Sequence, residues 1–150
     1  MLFLELAVAT AAVAVAILVQ LAATLVLAYR VRQVLPVWTK HHPAPKVLAR
    51  VALTAFALLF LGHIVQIWLW AGLYIVLGEF TDLETALYFS TVTISTLGYG
   101  DIVLSQDWRL LGAIEAASGI LLFGWTTAML VAVLMRAWQD AQSTAPSSKT

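Results

Sequence analysis

Thr96-Leu97-Gly98-Tyr99-Gly100-Asp101 is the stretch on which the reading of the whole chain turns. Two glycines flank one tyrosine, a spacing that lets successive residues alternate in hand, because glycine enters the left-handed region without a Cβ penalty. Carbonyls along such a strand can all face one axis. Gathered from several copies, they would replace the water shell of a dehydrated cation, with backbone oxygens and no side-chain charge. Thr96 adds a hydroxyl at the inner end.

Upstream, Thr81-Asp82-Leu83-Glu84 fits a capping box in which Thr81 and Glu84 satisfy the first free amides of a helix. That helix is expected from about Asp82 to Ile94 and would be only about 20 Å long. It is too short to cross a bilayer, so it should enter and stop. Its C-terminal partial negative charge would then point toward the membrane centre and stabilise a cation there. Downstream, Trp108 and Arg109 open an apolar segment that continues to about Trp138.

The motif TLGYGD, with ALYFSTVTIS before it and GILLFGWTTAML after it, resembles the signature of the tetrameric potassium channels, usually written TVGYG. The likeness runs from about Ala86 to about Leu134, and Gly-Tyr-Gly alone would be weak evidence because it also makes ordinary turns. The resemblance implies a homotetramer, since one copy supplies one filter strand and the chain holds no second GYG. It implies a potassium filter of Thr96, Leu97, Gly98, Tyr99 and Gly100, with K+ held at Thr96, Leu97, Gly98 and Tyr99. Leu97 stands where valine is commoner; that position contributes its carbonyl, so selectivity should survive.

The resemblance also assigns supports around the filter. Many members carry tryptophans on the short helix that pack beside the filter tyrosine and hydrogen-bond the acid after GYG. Tyr88 and Phe89 hold those positions here, and Phe89 cannot donate, so Asp101 lacks the expected partner from there. Val92 sits where some bacterial members have a buried glutamate and others an aliphatic residue. Gly119 matches the hinge glycine of the inner helix and Gly124 follows it; bending and close packing both suit a glycine there. By the same alignment Ile120, Phe123 and Thr127 line a cavity, and Val131 and Met135 narrow its inner mouth, an apolar ring able to close by dewetting.

Glu115 is the acid deepest in an apolar segment, where a lone carboxylate is costly. It needs a partner. One reading has it bracing the short helix through hydroxyls such as Ser90 or Thr93; the other pairs it with a neighbouring span at His63 or Gln66. His63 and Gln66 lie about one helical turn apart and suit an interhelical hydrogen bond as well as a functional role.

Composition sets the class. Of 150 residues, 62% are hydrophobic and 11% charged, the formal net charge is zero and cysteine is absent. The mean hydropathy is +0.93. This describes a membrane protein whose partner is the lipid bilayer, with no basic excess for nucleic acid and neither disulfides nor thiolate metal sites. No cofactor is implied beyond potassium in the filter.

Three spans are expected. The first runs from Leu2 to Tyr29, with Ala9, Ala11, Ala12, Ala14 and Ala16 suited to close packing; nothing basic precedes it, so it reads as retained rather than as a signal. Arg30 to Arg50 reads as a basic loop kept irregular by Pro36, Pro43 and Pro45, with His41-His42 as a weak metal or pH candidate. The second span covers Val47 to Leu77, with Trp68, Trp70 and Tyr74 as interfacial anchors, and the third starts at Trp108. Seven of the eight Lys and Arg then share one side, predicting an outer N-terminus and an inner C-terminus in a plasma membrane, of a size that suits a bacterial inner membrane.

The expected organisation is an N-terminal helix and basic loop over residues 1–46, a pore domain over 47–138 and a tail over 139–150. Together these make an all-α membrane protein of three transmembrane helices and one re-entrant helix. No span repeats arginine at every third position, so a voltage sensor is missing. The leading function is passive, potassium-selective conduction. A non-conducting accessory subunit or sensor with the same fold is the alternative. An enzyme using His63, Glu115 and Ser118 has no nucleophile motif, cofactor loop or metal constellation behind it.

Overall fold

A computed structural model describes residues 2–41 and 44–143. Four helices follow in order: α1 (Leu2–His41), α2 (Ala44–Val76), α3 (Leu83–Ile94) and α4 (Arg109–Ser143). Within α1, α2 and α4, the stretches Leu2–Thr39, Pro45–Val76 and Arg109–Asp140 are long and apolar enough to cross a membrane. The protein is an all-α membrane protein. Large apolar side chains such as Phe3, Leu53 and Leu121 stand exposed along these spans, as a lipid-facing surface requires.

The described residues of the basic loop expected over 30–50 are helical rather than irregular. α1 continues through Pro36 to His41, and α2 begins at Ala44, so Arg30 and Arg32 lie on α1 and Lys46 and Arg50 on α2. Proline removes one backbone bond and crowds the preceding turn at a cost of about 3 kcal/mol. Packing on both sides of it outweighs that cost: Leu35 is buried in an apolar cluster and Trp38 packs against it. The His41-His42 candidate falls outside the described residues, since His42 and the side chain of His41 are not among them.

Contacts divide the chain into two units, Met1–Leu21 with Gly62–Gly124, and Ala22–Leu61 with Trp125–Thr150. The second has a core of Leu27, Leu35, Val47, Val51, Ala55, Leu59, Val133 and Ala137, drawn from α1, α2 and α4. Trp125 donates its indole N–H to the Thr24 hydroxyl at 3.2 Å within the same unit.

The first unit holds α3 and the 96–101 segment, around a core of Ala9, Trp70, Tyr74, Phe89, Ile94, Leu104 and Leu111. Of the alanines expected to pack, Ala9 and Ala16 are buried, seven residues apart on one face of α1, while Ala11 and Ala14 are exposed. Trp70 and Tyr74 are not interfacial anchors. Both are buried, with ring centroids 6.1 Å apart, and Tyr74 also meets Phe89 edge-on at 5.2 Å; Trp68 alone of the three is exposed.

Two terminations aim α3. α2 closes with Gly78 at φ 78°, where the Gly78 amide bonds the Ile75 carbonyl and the Glu79 amide the Tyr74 carbonyl, a paired stop that needs a left-handed residue. Glu79 then accepts from the amide and hydroxyl of Ser105 at 2.7 and 2.8 Å, fixing the return loop. α3 starts one residue later than the capping box implied: Asp82, not Thr81, is the N-cap and accepts from the Thr85 amide at 2.8 Å. Aspartate is the stronger cap of the two. The start of α4 is capped from a distance. Glu5 on α1 accepts from the amides of Leu110 and Leu111 at 2.8 and 3.1 Å, placing a carboxylate at a helix N-terminus.

Candidate functional site

α3 ends at Ile94, and Ser95 closes it with φ −77° and ψ −2°. Beyond it the backbone alternates in hand. Thr96, Gly98 and Gly100 have φ of 61°, 54° and 78°, while Leu97 and Tyr99 between them do not take positive φ. Thr96 is the sole non-glycine residue with positive φ among those described, a strained conformation for a β-branched side chain. Strain of this kind persists only where surroundings over-determine it.

Those surroundings begin with the last carbonyls of α3. The Thr96 amide donates to the Thr93 carbonyl at 2.9 Å, and the Leu97 and Gly98 amides donate to the Val92 carbonyl at 3.0 and 3.2 Å. Val92 thus touches the segment through its backbone. Leu97, Gly98, Tyr99 and Gly100 are all exposed in the single chain.

Asp101 has a partner that the sequence left out. The Tyr88 hydroxyl donates to its carboxylate at 2.7 Å and holds its carboxyl below the usual carboxylate range. Phe89 plays a different part, packing edge-on against Tyr74 and tilted against Phe80 at 5.3 Å.

Glu115 lies fully buried on α4 between two hydroxyl donors. Ser90 of α3 donates to one oxygen at 2.6 Å and Tyr74 of α2 to the other at 2.5 Å. Three helices therefore meet on one carboxylate. Thr93, His63 and Gln66 are not the donors at these two oxygens. Ser118, one turn along α4, gives its hydroxyl to the backbone carbonyl of Glu115 at 2.8 Å. One turn beyond Glu115, a Cβ on Gly119 would stand 2.1 Å from the carbonyl oxygen of Ile94, so this glycine lets α4 touch the end of α3. Around Gly124 a Cβ would meet nothing within 4 Å.

His63 and Gln66 bond each other, and Gln66 also bonds α1. His63 Nδ1 lies 3.2 Å from Gln66 Oε1, and Gln66 donates to Gln20 Oε1 at 2.9 Å and to the Ala16 carbonyl at 3.4 Å. The other side of the His63 ring rests on Phe123, with centroids 4.6 Å apart. Ile120, Thr127, Val131 and Met135 are exposed along α4.

Sequence reasoning missed Tyr74 as a partner of Glu115 and Glu5 as the cap of α4. The first had a signal in the sequence, a phenol in a span that also had to bury an acid. The second pair is separated by 105 positions and had none. Among the described residues no group of three or more His, Asp or Glu is placed to hold a metal ion.

A family model described as an ion channel matches residues 56–136, more than half of the chain, from within α2 through α3 and the 96–101 segment to Arg136 of α4. No curated protein and no solved structure matches it. The chain therefore belongs to the ion channel family, a multi-pass membrane protein of a non-enzymatic kind.

Proposed function

We propose that the protein is a potassium-selective channel, passing K+ down its gradient through a filter made of the 96–100 segments of four copies. The observation that carries this reading is the alternation of hand at Thr96, Gly98 and Gly100. Such a backbone presents successive carbonyls to one axis and strips a cation of water without a charged side chain. K+ sits at the carbonyls of Thr96, Leu97, Gly98 and Tyr99, with the Thr96 hydroxyl at the inner end. Potassium fits the arrangement because a backbone ring offers many weak, uncharged ligands.

The supports suit this role. Tyr88 tethers Asp101 at the outer end, and Glu115 links α3 to α2 and α4 behind the segment. Ile120, Phe123, Gly124 and Thr127 border the ion path beneath the filter, and Val131 and Met135 close it by dewetting. The N-terminus lies outside and the C-terminus inside, following the Lys and Arg bias.

Potassium efflux from liposomes containing the purified protein tests the proposal, with Gly98→Ala as the control that places a Cβ on a residue at φ 54°. Efflux that the substitution abolishes supports the filter. No efflux from an intact oligomer that potassium still stabilises against heat would instead favour a non-conducting accessory subunit.

A further inference from the structure

Charge is divided sharply between the two units of the chain. Ala22–Leu61 and Trp125–Thr150 together carry seven Lys and Arg and a single acid, Asp140. Within that unit a groove of about 520 Å³ opens between α1 and α4. Its lining is mostly apolar, including Ala28 and Val31 on α1 and Ala132 on α4, and its charged members are Arg32, Arg136 and Asp140. Arg32 also borders a second groove beside Leu25, Ala28 and Tyr29.

The two arginines are available to a ligand. Arg136 touches Asp140 at 3.3 Å, with the arginine side chain 71% exposed, and an exposed pair of this kind is held weakly. Arg32 is exposed and has no ion pair among the described residues. Two exposed arginines lining one largely apolar groove match a phosphate joined to a hydrocarbon chain. Guanidinium binds phosphate oxygens in a bidentate fork, and the apolar walls take methylene groups. Basic pockets between spans, at the basic ends of those spans, recognise anionic headgroups on these grounds.

We propose that this groove seats an anionic phospholipid, its phosphate on Arg32 and Arg136 and the start of one acyl chain along Ala28, Val31 and Ala132. Asp140 is displaced from Arg136 as the phosphate arrives. The inference concerns a site on α1 and α4 and stands independently of which ion the chain conducts.

The test is the thermal midpoint of the full chain, purified in neutral detergent and titrated with dioleoylphosphatidylglycerol, dioleoylphosphatidylcholine or inorganic phosphate. Phosphatidylglycerol should raise the midpoint at concentrations where the other two do not. Arg32→Gln and Arg136→Gln should each shift the phosphatidylglycerol dose response by roughly fivefold, in line with the contribution of one basic side chain at an anionic surface. Arg32→Lys should recover most of the loss, and Arg109→Gln, in the other unit, should shift nothing. Ala132→Trp, which fills the groove and keeps both arginines, should abolish the response while leaving the lipid-free midpoint near wild type. Equal stabilisation by phosphatidylcholine or by inorganic phosphate would overturn the proposal. So would unchanged dose responses in both glutamine variants, or a groove that cross-linking shows to be covered by a second copy.

Discussion

Glu115 on α4 accepts from Ser90 on α3 at 2.6 Å, and this contact ties the helix leading into the 96–101 segment to the helix that follows it. With Tyr74 on the second oxygen, both ends of the carboxylate are occupied in a site closed to solvent. Glu115→Leu leaves two buried hydroxyls without an acceptor and should destabilise the protein by about 2–6 kcal/mol, about 1–3 for each unsatisfied donor. Glu115→Gln keeps one acceptor oxygen and should cost less than half as much. Thermal unfolding of the two variants separates a polar link from simple space filling; equal losses would contradict the link.

Gly119 and Gly124 should respond in opposite directions to the same substitution. At Gly119 a Cβ would meet the Ile94 carbonyl at 2.1 Å, so Gly119→Ala must push α3 away from α4 and should cost roughly 1–3 kcal/mol. At Gly124 the space is open, and Gly124→Ala should stabilise α4 by about 0.5–1 kcal/mol through helix propensity. Two thermal midpoints decide it. A neutral Gly119→Ala would show that this glycine serves bending rather than contact.

The link from Tyr88 to Asp101 predicts a pH dependence of defined sign. Asp101 has its carboxyl lowered in the folded protein by the Tyr88 hydroxyl. Its contribution to stability is therefore present above the unfolded value, about pH 4, and is lost as the pH falls through the lower folded value. In Tyr88→Phe that contribution is gone at every pH, so the difference in midpoint between wild type and variant should shrink as the pH falls below about 4. A difference that stays constant across pH would show that Tyr88 acts by packing alone.

The architecture was legible wherever a residue pattern acts locally. Three apolar stretches and one short helix before TLGYGD gave the spans and α3 because length and hydropathy decide both. Boundaries were less legible. Pro36 signals a break by its own chemistry, yet Leu35 and Trp38 beside it are packed by residues of α2 and α4, which no local rule contains. Asp82 displaced Thr81 as the cap because two good caps stood side by side. At the candidate site, Ser90 could be named from its proximity in sequence to the segment. Tyr74 read as an interfacial anchor, because aromatic residues near the end of a span have two uses and burial alone distinguishes them.

Glu5 gives α1 a measurable part in the fold of α4. Its carboxylate accepts from the amides of Leu110 and Leu111, the second of which also donates to the Trp108 carbonyl at 3.0 Å. Glu5→Ala should cost about 1–2 kcal/mol, the usual loss for a removed N-terminal cap, and Glu5→Gln should retain part of it. Hydrogen exchange at the first turn of α4 provides the check: protection at Leu110 should fall in Glu5→Ala, and less so at Leu111, which keeps the Trp108 carbonyl as acceptor. Unchanged protection would place the acceptor elsewhere.

Selectivity for potassium is read from the reversal potential. With the purified protein in a planar bilayer, potassium chloride on one side and an equal concentration of sodium chloride on the other, the reversal potential should be strongly negative on the potassium side. Current that reverses at zero, with conduction still abolished by Gly98→Ala, would mean that the segment conducts without choosing potassium, and the channel would not be potassium-selective.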